Sequence, residues 1–303
     1  MMLEVRHRTH YRYARSAAFS QHLLHLTPGC APGQRVAASH VRVEPEPDTL
    51  DSHVDMFGNV VHVATVSKPH SELEILATSR VDRIAPAGLI MDASAPWEET
   101  SRAALGADGA SPIAELGPFA FPSEMTMGDR EIEAYARASF TEGRAVLAAA
   151  EELCRRIHED FEYAPGATLA DTLPAESFAA RRGVCQDFAH VMLASLRALR
   201  VPARYVSGYL RTRPADDRAR LQGADASHAW VSVWDTTFGW VDFDPTNDCV
   251  PSLDHVTLAV GRDYGDVSPV SGVVVGAGDQ QLSVGVDVGV AESETAARET
   301  RPD

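Results

Sequence analysis

A cysteine that follows a glycine and opens an amphipathic run is the first group in this chain able to do chemistry. In "RRGVCQDFAHVMLASLRALR", Phe188, Val191, Met192, Ser195, Leu196 and Leu199 recur at helical spacing. The spacing predicts a helix with Cys185 on its buried stripe, at the N-terminal end. Unpaired N–H groups and the helix macrodipole favour a thiolate at such a place. The same N–H groups can donate to an oxyanion. A packed core thiol would occupy the same position, so placement alone leaves both readings open.

A thiol nucleophile needs a base, and histidine is the usual one. The chain has 12 histidines, which makes any single one weak testimony. His228 stands in "SHAWVSVW", where His228, Trp230, Ser232 and Trp234 alternate with Ala229, Val231 and Val233. A histidine on such a strand face is commonly structural. The next segment, "DTTFGWVDFDPTND", supplies a turn and a second strand. If Trp234 opposes Trp240, Ser232 pairs with Asp242 and Trp230 with Asp244. Asp244 then becomes the diagonal neighbour of His228, placed to orient an imidazole. Asp242 lies one pair further away. A slip of one residue would turn both aspartates to the other face. Pro245 after Asp244 also reads as a strand terminator.

The elements that must carry these residues follow an α+β order. "LEVRHRTHYRY" puts Val5, His7, Thr9, Tyr11 and Tyr13 on one face and charged residues on the other, a half-buried strand. Further strand-like runs separated by turn residues predict an all-β, sandwich-like domain over 1–86. Residues 87–127 read as a connector with short helices. A core over 128–290 begins with "DREIEAYARASF" and "AVLAAAEELCRRIHEDF", both helical. Leu147, Ala150, Leu153, Cys154 and Ile157 share one apolar stripe, so Cys154 reads as packing. Thr172 is a candidate cap for a helix through "PAESFAAR", with Pro174 early and Gly183 just beyond its end. The tail, 291–303, has little apolar content and reads as disordered.

Composition bounds the function. With 27 Lys+Arg against 43 Asp+Glu the net charge is −16, which argues against nucleic acid or an anionic membrane as partner. No apolar run reaches the roughly 18 residues of a membrane helix. The N-terminus shows no signal-peptide pattern, so the expected compartment is the cytoplasm. The four cysteines, Cys30, Cys154, Cys185 and Cys249, form no CxxC pair and read as free thiols. No EF-hand loop or glycine-rich phosphate motif is present, so no cofactor is expected. Cys185, His228 and Asp244 are too far apart in sequence for the usual zinc spacing, so no metal is expected. The sequence sets no oligomeric state.

In order, "GVCQDFAH", "ARYVSGYL", "SHAWVSVW" and "GWVDFDPTN" resemble the bacterial transglutaminase-like superfamily, whose members are often described as cysteine proteases. "RHRTHYRYARSAAFSQHLLHLTP", "DMFGN" and "SKPHSELEILATSRV" resemble the β-rich region fused to such cores. The resemblance implies a papain-like fold, with a catalytic helix packed on an antiparallel sheet. It implies Cys185 as nucleophile, His228 as base and then acid, and Asp244 as the residue orienting His228. The backbone N–H of Cys185 is one implied oxyanion donor. A papain-like glutamine six positions upstream is missing, since residue 179 is Ala. Tyr163 is the candidate second donor, and a tyrosine covering the core edge is its bland counterpart. Gln186 and Asp187 read as local hydrogen-bonding residues and His190 as structural. The implied substrate is a peptide or carboxamide, with hydrolysis preferred. Transfer to an amine is the first alternative, and a non-catalytic binding module the second.

Overall fold

The computed structural model describes residues 1–29, 31–85, 88–106, 113–212 and 226–291. The N-terminal strands are β1 (Met2–Ala17), β2 (Phe19–Leu24), β3 (Gln34–Glu44), β4 (Thr49–Val54), β5 (Val60–Val66) and β6 (His70–Arg83). In β1 the alternation holds along the strand: Leu3, Val5, His7, Thr9, Tyr11 and Tyr13 are buried, and Glu4, Arg6 and Arg8 face solvent. β6 answers with Leu73, Ile75, Ala77 and Val81 on the same inner face. Tyr11, Tyr13, Leu73, Ile75 and Ala77 close against Leu24, Ala64 and Val66 of the second sheet to form a sandwich core, while Leu3, Val5 and Val81 join the cluster of the helical half.

The helical half follows. α1 (Trp97–Ala104) and α2 (Ile113–Ala120) come first, then α3 (Arg130–Ser139) and α4 (Val146–Asp160). Asp129 caps α3, its carboxylate accepting from Glu131 N and Ile132 N at 2.9 and 3.0 Å. Leu147, Ala150, Leu153, Cys154 and Ile157 of α4 are all buried, which makes Cys154 a core residue. Next come β7 (Glu162–Tyr163), α5 (Pro174–Ala180), β8 (Arg182–Gly183) and α6 (Cys185–Ala198). α5 departs from expectation at its ends. Its cap position is Leu173, with Pro174 in the first turn. The Thr172 hydroxyl instead accepts from Leu169 N. Arg181, not a glycine, takes the left-handed conformation at the C-terminus, at φ 51°.

The core sheet contains β9 (Ala203–Leu210), β10 (Ala226–Asp235), β11 (Gly239–Phe243) and β12 (His255–Gly261), in the antiparallel order β11-β10-β9-β12. Ala229, Val231 and Val233 of β10 join Phe188, Val191, Met192 and Leu196 of α6 in one apolar cluster. That burial holds the helix on the sheet. After α7 (Tyr264–Val267), the strands β13 (Val270–Val275) and β14 (Gln280–Val290) leave the core sheet. β13 pairs with β2 and β14 with β1, giving the orders β13-β2-β5-β4 and β14-β1-β6-β3. The last part of the range 128–290 thus belongs by pairing to the sandwich, because the unpaired edges of β1 and β2 offer full ladders to it.

His7 fastens the two halves. It is buried on β1, its Nδ1 lies 2.9 Å from the Tyr209 hydroxyl of β9, and its Nε2 lies 2.8 Å from Thr9 Oγ1. Burial lowers its pKa to about 4, so it is a neutral bridge at pH 7. Among the described residues no helix is long and apolar enough to cross a membrane. Cys30, the expected domain end at Pro86 and the tail from 292 onward lie outside the described residues.

Candidate active site

Cys185 is the first residue of α6, and its position is built by local chemistry. Asp187, three residues on, reaches back to accept from Val184 N at 2.7 Å and from the Thr168 hydroxyl at 2.7 Å. This satisfies one backbone donor at the helix entrance. Gly183 is required there: a Cβ would lie 2.5 Å from Asp187 Oδ2 and 2.7 Å from its Cβ. Gln186 Nε2 donates to Ala170 O at 2.7 Å, which ties the 164–172 loop to the helix start. Gln186 and Asp187 therefore do local hydrogen bonding, as expected. His190 is buried within α6, where its Nε2 accepts from Tyr264 N.

The hairpin register is the expected one. Trp234 pairs with Trp240 and Ser232 with Asp242, and the ladder ends at Val231–Phe243. Asp244 lies just past that end, fully buried, in a bridge with Cys249. His228 pairs with Gly208 of β9 and is 8% exposed. Gly208 cannot carry a side chain, since a Cβ would meet Val256 O at 2.3 Å and the Trp230 ring at 2.4 Å. His228 Nε2 donates to Asp244 Oδ2 at 2.7 Å. The other ring nitrogen, Nδ1, makes no hydrogen bond to nitrogen or oxygen among the described residues, and the nearby Cys185 side chain helps raise the His228 pKa. The structure thus brings Cys185, His228 and Asp244 together.

Asp244 is a saturated acceptor. Besides His228, its Oδ2 accepts from Asn247 Nδ2 at 2.7 Å and from His255 Nε2 at 3.1 Å. Its Oδ1 accepts from the backbone N–H groups of Thr246 and Asn247 at 3.0 and 3.3 Å. Pro245 stops the ladder and lets the "PTND" turn fold back over the carboxylate. His255 and Asn247 were not singled out in the sequence. Asn247 sits in a quoted motif, but His255 carries no spacing signal among the histidines. Ser252 N donates to His255 Nδ1 at 3.4 Å, so Nε2 bears the proton directed at Asp244. The His255 ring meets Trp230 edge-on at 5.3 Å. Asp242 goes elsewhere, accepting from Trp230 Nε1 at 3.0 Å.

The charges follow. Burial acts to raise the Asp244 carboxyl, but the hydrogen bonds from His228 and His255, the charge of His228 and the Asn247 amide outweigh it. They hold Asp244 well below the usual carboxylate range. Burial acts to lower the His228 pKa, but hydrogen bonds and charge from Asp244 and Cys185 raise it to about 10. His228 is therefore an imidazolium at neutral pH, beside the Cys185 sulfur. By contrast, burial pushes the Cys154 thiol far up, and burial with the nearby Asp244 and Asp248 pushes Cys249 to about 11. The side-chain ligand atoms of His228, Asp244 and His255 lie within 4.8 Å of one another, an arrangement two imidazoles and a carboxylate could offer a metal. Both Nε2 atoms spend their protons on Asp244, so a metal would have to displace these hydrogen bonds.

Tyr163 pairs with Gly183 through the short β7–β8 bridge and so stands beside the start of α6. It is half exposed, its ring packs edge-on to Phe188 at 6.4 Å, and burial followed by the Cys185 charge raises its pKa.

Known proteins share this arrangement of segments. Residues 133–245 match the transglutaminase-like superfamily, and residues 3–82 match the bacterial transglutaminase-like N-terminal region. An uncharacterised protein of Mycobacterium tuberculosis is 37% identical over 292 residues, covering 94% of this chain and 91% of the relative. The chain belongs to the transglutaminase-like superfamily. An uncharacterised protein of Mycobacterium leprae is 32% identical over 290 residues, 94% of this chain and 98% of that one. A protein-glutamine gamma-glutamyltransferase of Pseudomonas aeruginosa is 38% identical over 119 residues, 38% of this chain but 17% of its own length. A crystal structure from Cytophaga hutchinsonii, described as a candidate cysteine protease, superimposes with a TM-score of 0.71. It covers 97% of this chain and 92% of that one at 20% identity, a likeness of fold. The superfamily is one of thiol-based catalysis, and its core spans the segment that carries Cys185, His228 and Asp244.

Proposed function

We propose that the protein catalyses acyl transfer through a thioester on Cys185, with a peptide or carboxamide as substrate. The observation that carries this reading is the 2.7 Å hydrogen bond from His228 to Asp244, with the Cys185 side chain at the start of α6 close enough to raise the His228 pKa. The sulfur attacks the carbonyl carbon, and the C=O electron pair moves onto oxygen. The Cys185 N–H at the helix start is placed to stabilise that oxyanion, with the Tyr163 hydroxyl as second donor. As the C–N bond breaks, the His228 imidazolium gives its proton to the departing amine. Water then attacks the thioester while His228 takes one of its protons, releasing the acid and returning Cys185 and His228 to their starting forms. Asp244 keeps the ring oriented and the imidazolium stable throughout.

Water as acceptor makes the protein a cysteine protease or amidase, the reading we prefer. An amine in its place makes it a transglutaminase or amide ligase, and the match to a glutamine gamma-glutamyltransferase over 119 residues favours keeping that outcome in the test. Iodoacetamide labelling at about pH 6 decides the first question, since an ordinary thiol of pKa about 8.5 reacts slowly there. Fast labelling confined to Cys185 and slowed in His228→Ala is expected. Slow labelling throughout, indifferent to His228, would leave a non-catalytic binding module. Product analysis of an acylated protein with and without added amine then separates hydrolysis from transfer.

A further inference from the structure

A second polar cluster lies on the same face of the core sheet. Arg204, Ser232 and Asp242 are direct cross-strand partners on β9, β10 and β11, so their side chains share one face with Trp234 and Trp240. Ser232 is four residues from His228 along β10, about 13 Å at strand rise. The Arg204 guanidinium carbon lies 4.3 Å from the centre of the Trp240 ring. Its Nε is sealed from solvent without a hydrogen-bond partner, and so is the neighbouring Ser232 Oγ. Among the described residues the Arg204 side chain makes no hydrogen bond. Asp242 gives its carboxylate to Trp230 Nε1 instead.

Above Arg204 is a cavity of about 290 Å³ between three parts of the fold. Phe57 from the β4–β5 turn, Phe119 from α2, and Trp234 and Trp240 from the core sheet wall it. Phe119 meets Trp240 edge-on at 5.4 Å and lies tilted against Phe57 at 5.7 Å. Arg204 is half-buried, and a guanidinium Nε sealed from water without a partner is costly. Five donors in a fixed plane match a carboxylate edge to edge.

We propose that this cavity binds a small planar carboxylate, with the carboxylate on Arg204 and its apolar ring against Phe57, Phe119 and Trp240. The volume is at the small end for ligand pockets, suited to a single-ring acid. The charge balance selects a monoanion. Among the described residues Arg204 is the lone cation lining the space, Asp242 lies in its field, and Glu115 stands exposed at the rim, so a phosphate dianion would meet more repulsion than attraction. This site stands apart from the acyl-transfer reaction and does not depend on it.

The test is calorimetric titration of the intact protein with benzoate, beside benzamide as its neutral analogue and inorganic phosphate. Saturable one-to-one binding of benzoate is expected, with benzamide and phosphate weaker by about tenfold or more, the scale of one charge-assisted hydrogen bond. Arg204→Met should weaken benzoate by a similar factor while its thermal unfolding stays cooperative. If that variant does not fold, the benzoate–benzamide comparison on the unaltered protein decides alone. Absence of saturation up to about 50 mM, far weaker than a nine-atom ligand can bind, would show that water fills the cluster and overturn the proposal. Equal binding of benzamide, or phosphate binding more tightly than benzoate, would overturn it as well.

Discussion

Two polar clusters occupy one face of one sheet, and they are finished in opposite ways. At the Asp244 end five hydrogen-bond donors converge on one buried carboxylate, and both histidines have their ring protons directed. At the Arg204 end the guanidinium Nε and the Ser232 hydroxyl are sealed from solvent and have no partner. Both stretches come from the same antiparallel ladder with the same alternation, so strand geometry is not what separates them. The difference lies in what covers each end. Pro245 lets a turn fold its N–H groups over Asp244, whereas a cavity walled largely by apolar side chains stands over Arg204. A saturated cluster holds its groups in one geometry, as bond-breaking chemistry needs. An unsaturated one is left to be completed from outside.

The strongest way to break this comparison is at the sulfur. Cys185→Ala should abolish acyl transfer, and His228→Ala should slow Cys185 alkylation and turnover by about 10²–10⁴-fold. Both should leave benzoate binding unchanged, measured by the same titration. Loss of benzoate binding in either variant would mean that the two clusters are one site.

Next in size is the stability held by Asp244. Asp244→Ala leaves two buried imidazoles without their acceptor, and a loss of about 3 kcal/mol is expected by urea unfolding. The pH dependence has a definite sign. The His228 pKa is raised from 6.5 to about 10, so its contribution is complete below 6.5 and fades as pH rises towards 10. The Asp244 pKa is lowered from 3.8, so its contribution is complete above 3.8 and is lost as pH falls. The gap between wild type and Asp244→Ala should therefore be wider at about pH 5 than at about pH 10. A constant gap would mean that the imidazolium–carboxylate pair does not carry the stability.

Much of this site was legible in the residues. The Trp234–Trp240 pairing and the period of two were enough to separate Asp244 from Asp242, because cross-strand geometry is local. Gly183 and the amphipathic run placed Cys185 at the helix start for the same reason. What stayed hidden depends on distant segments meeting. His255 arrives from β12 through a turn whose path no periodicity encodes. β13 and β14 alternate like any strands, and nothing in the alternation tells which open edge they join. Thr172 shows the limit on the local scale. Pro174 correctly marked the helix start, but the threonine hydroxyl was satisfied by Leu169 N within its own turn.

His255 sharpens the saturated side of the comparison. It is a positioning residue, touching Asp244 and not the sulfur. His255→Leu removes one donor from the carboxylate and should slow Cys185 alkylation by about tenfold, the value of one hydrogen bond to a charged group. Asp244 then gains a proton more readily, so the acid limb of the pH–rate profile should move upward. His255→Gln presents an amide N–H where Nε2 lies and should recover most of the rate and the profile. A leucine variant that is destabilised but keeps the wild-type acid limb would assign His255 a packing role against Trp230 alone.

The smallest expected effect tests whether the neighbouring aspartate belongs to the open cluster. Asp242→Asn keeps an oxygen for Trp230 Nε1 and removes a negative charge from the field of Arg204. Stability should change by less than about 1 kcal/mol, since an accepting oxygen remains. Cys185 alkylation should stay within about twofold of wild type, because Asp242 makes no bond to His228. Benzoate should bind about two- to threefold more tightly, as repulsion from one partly screened charge is lifted. An alkylation rate that fell as it does in the Asp244 variant would place Asp242 in the relay and join the two ends of the sheet electrostatically. A rise in benzoate affinity with an unchanged alkylation rate would keep them separate, each defined by what covers it.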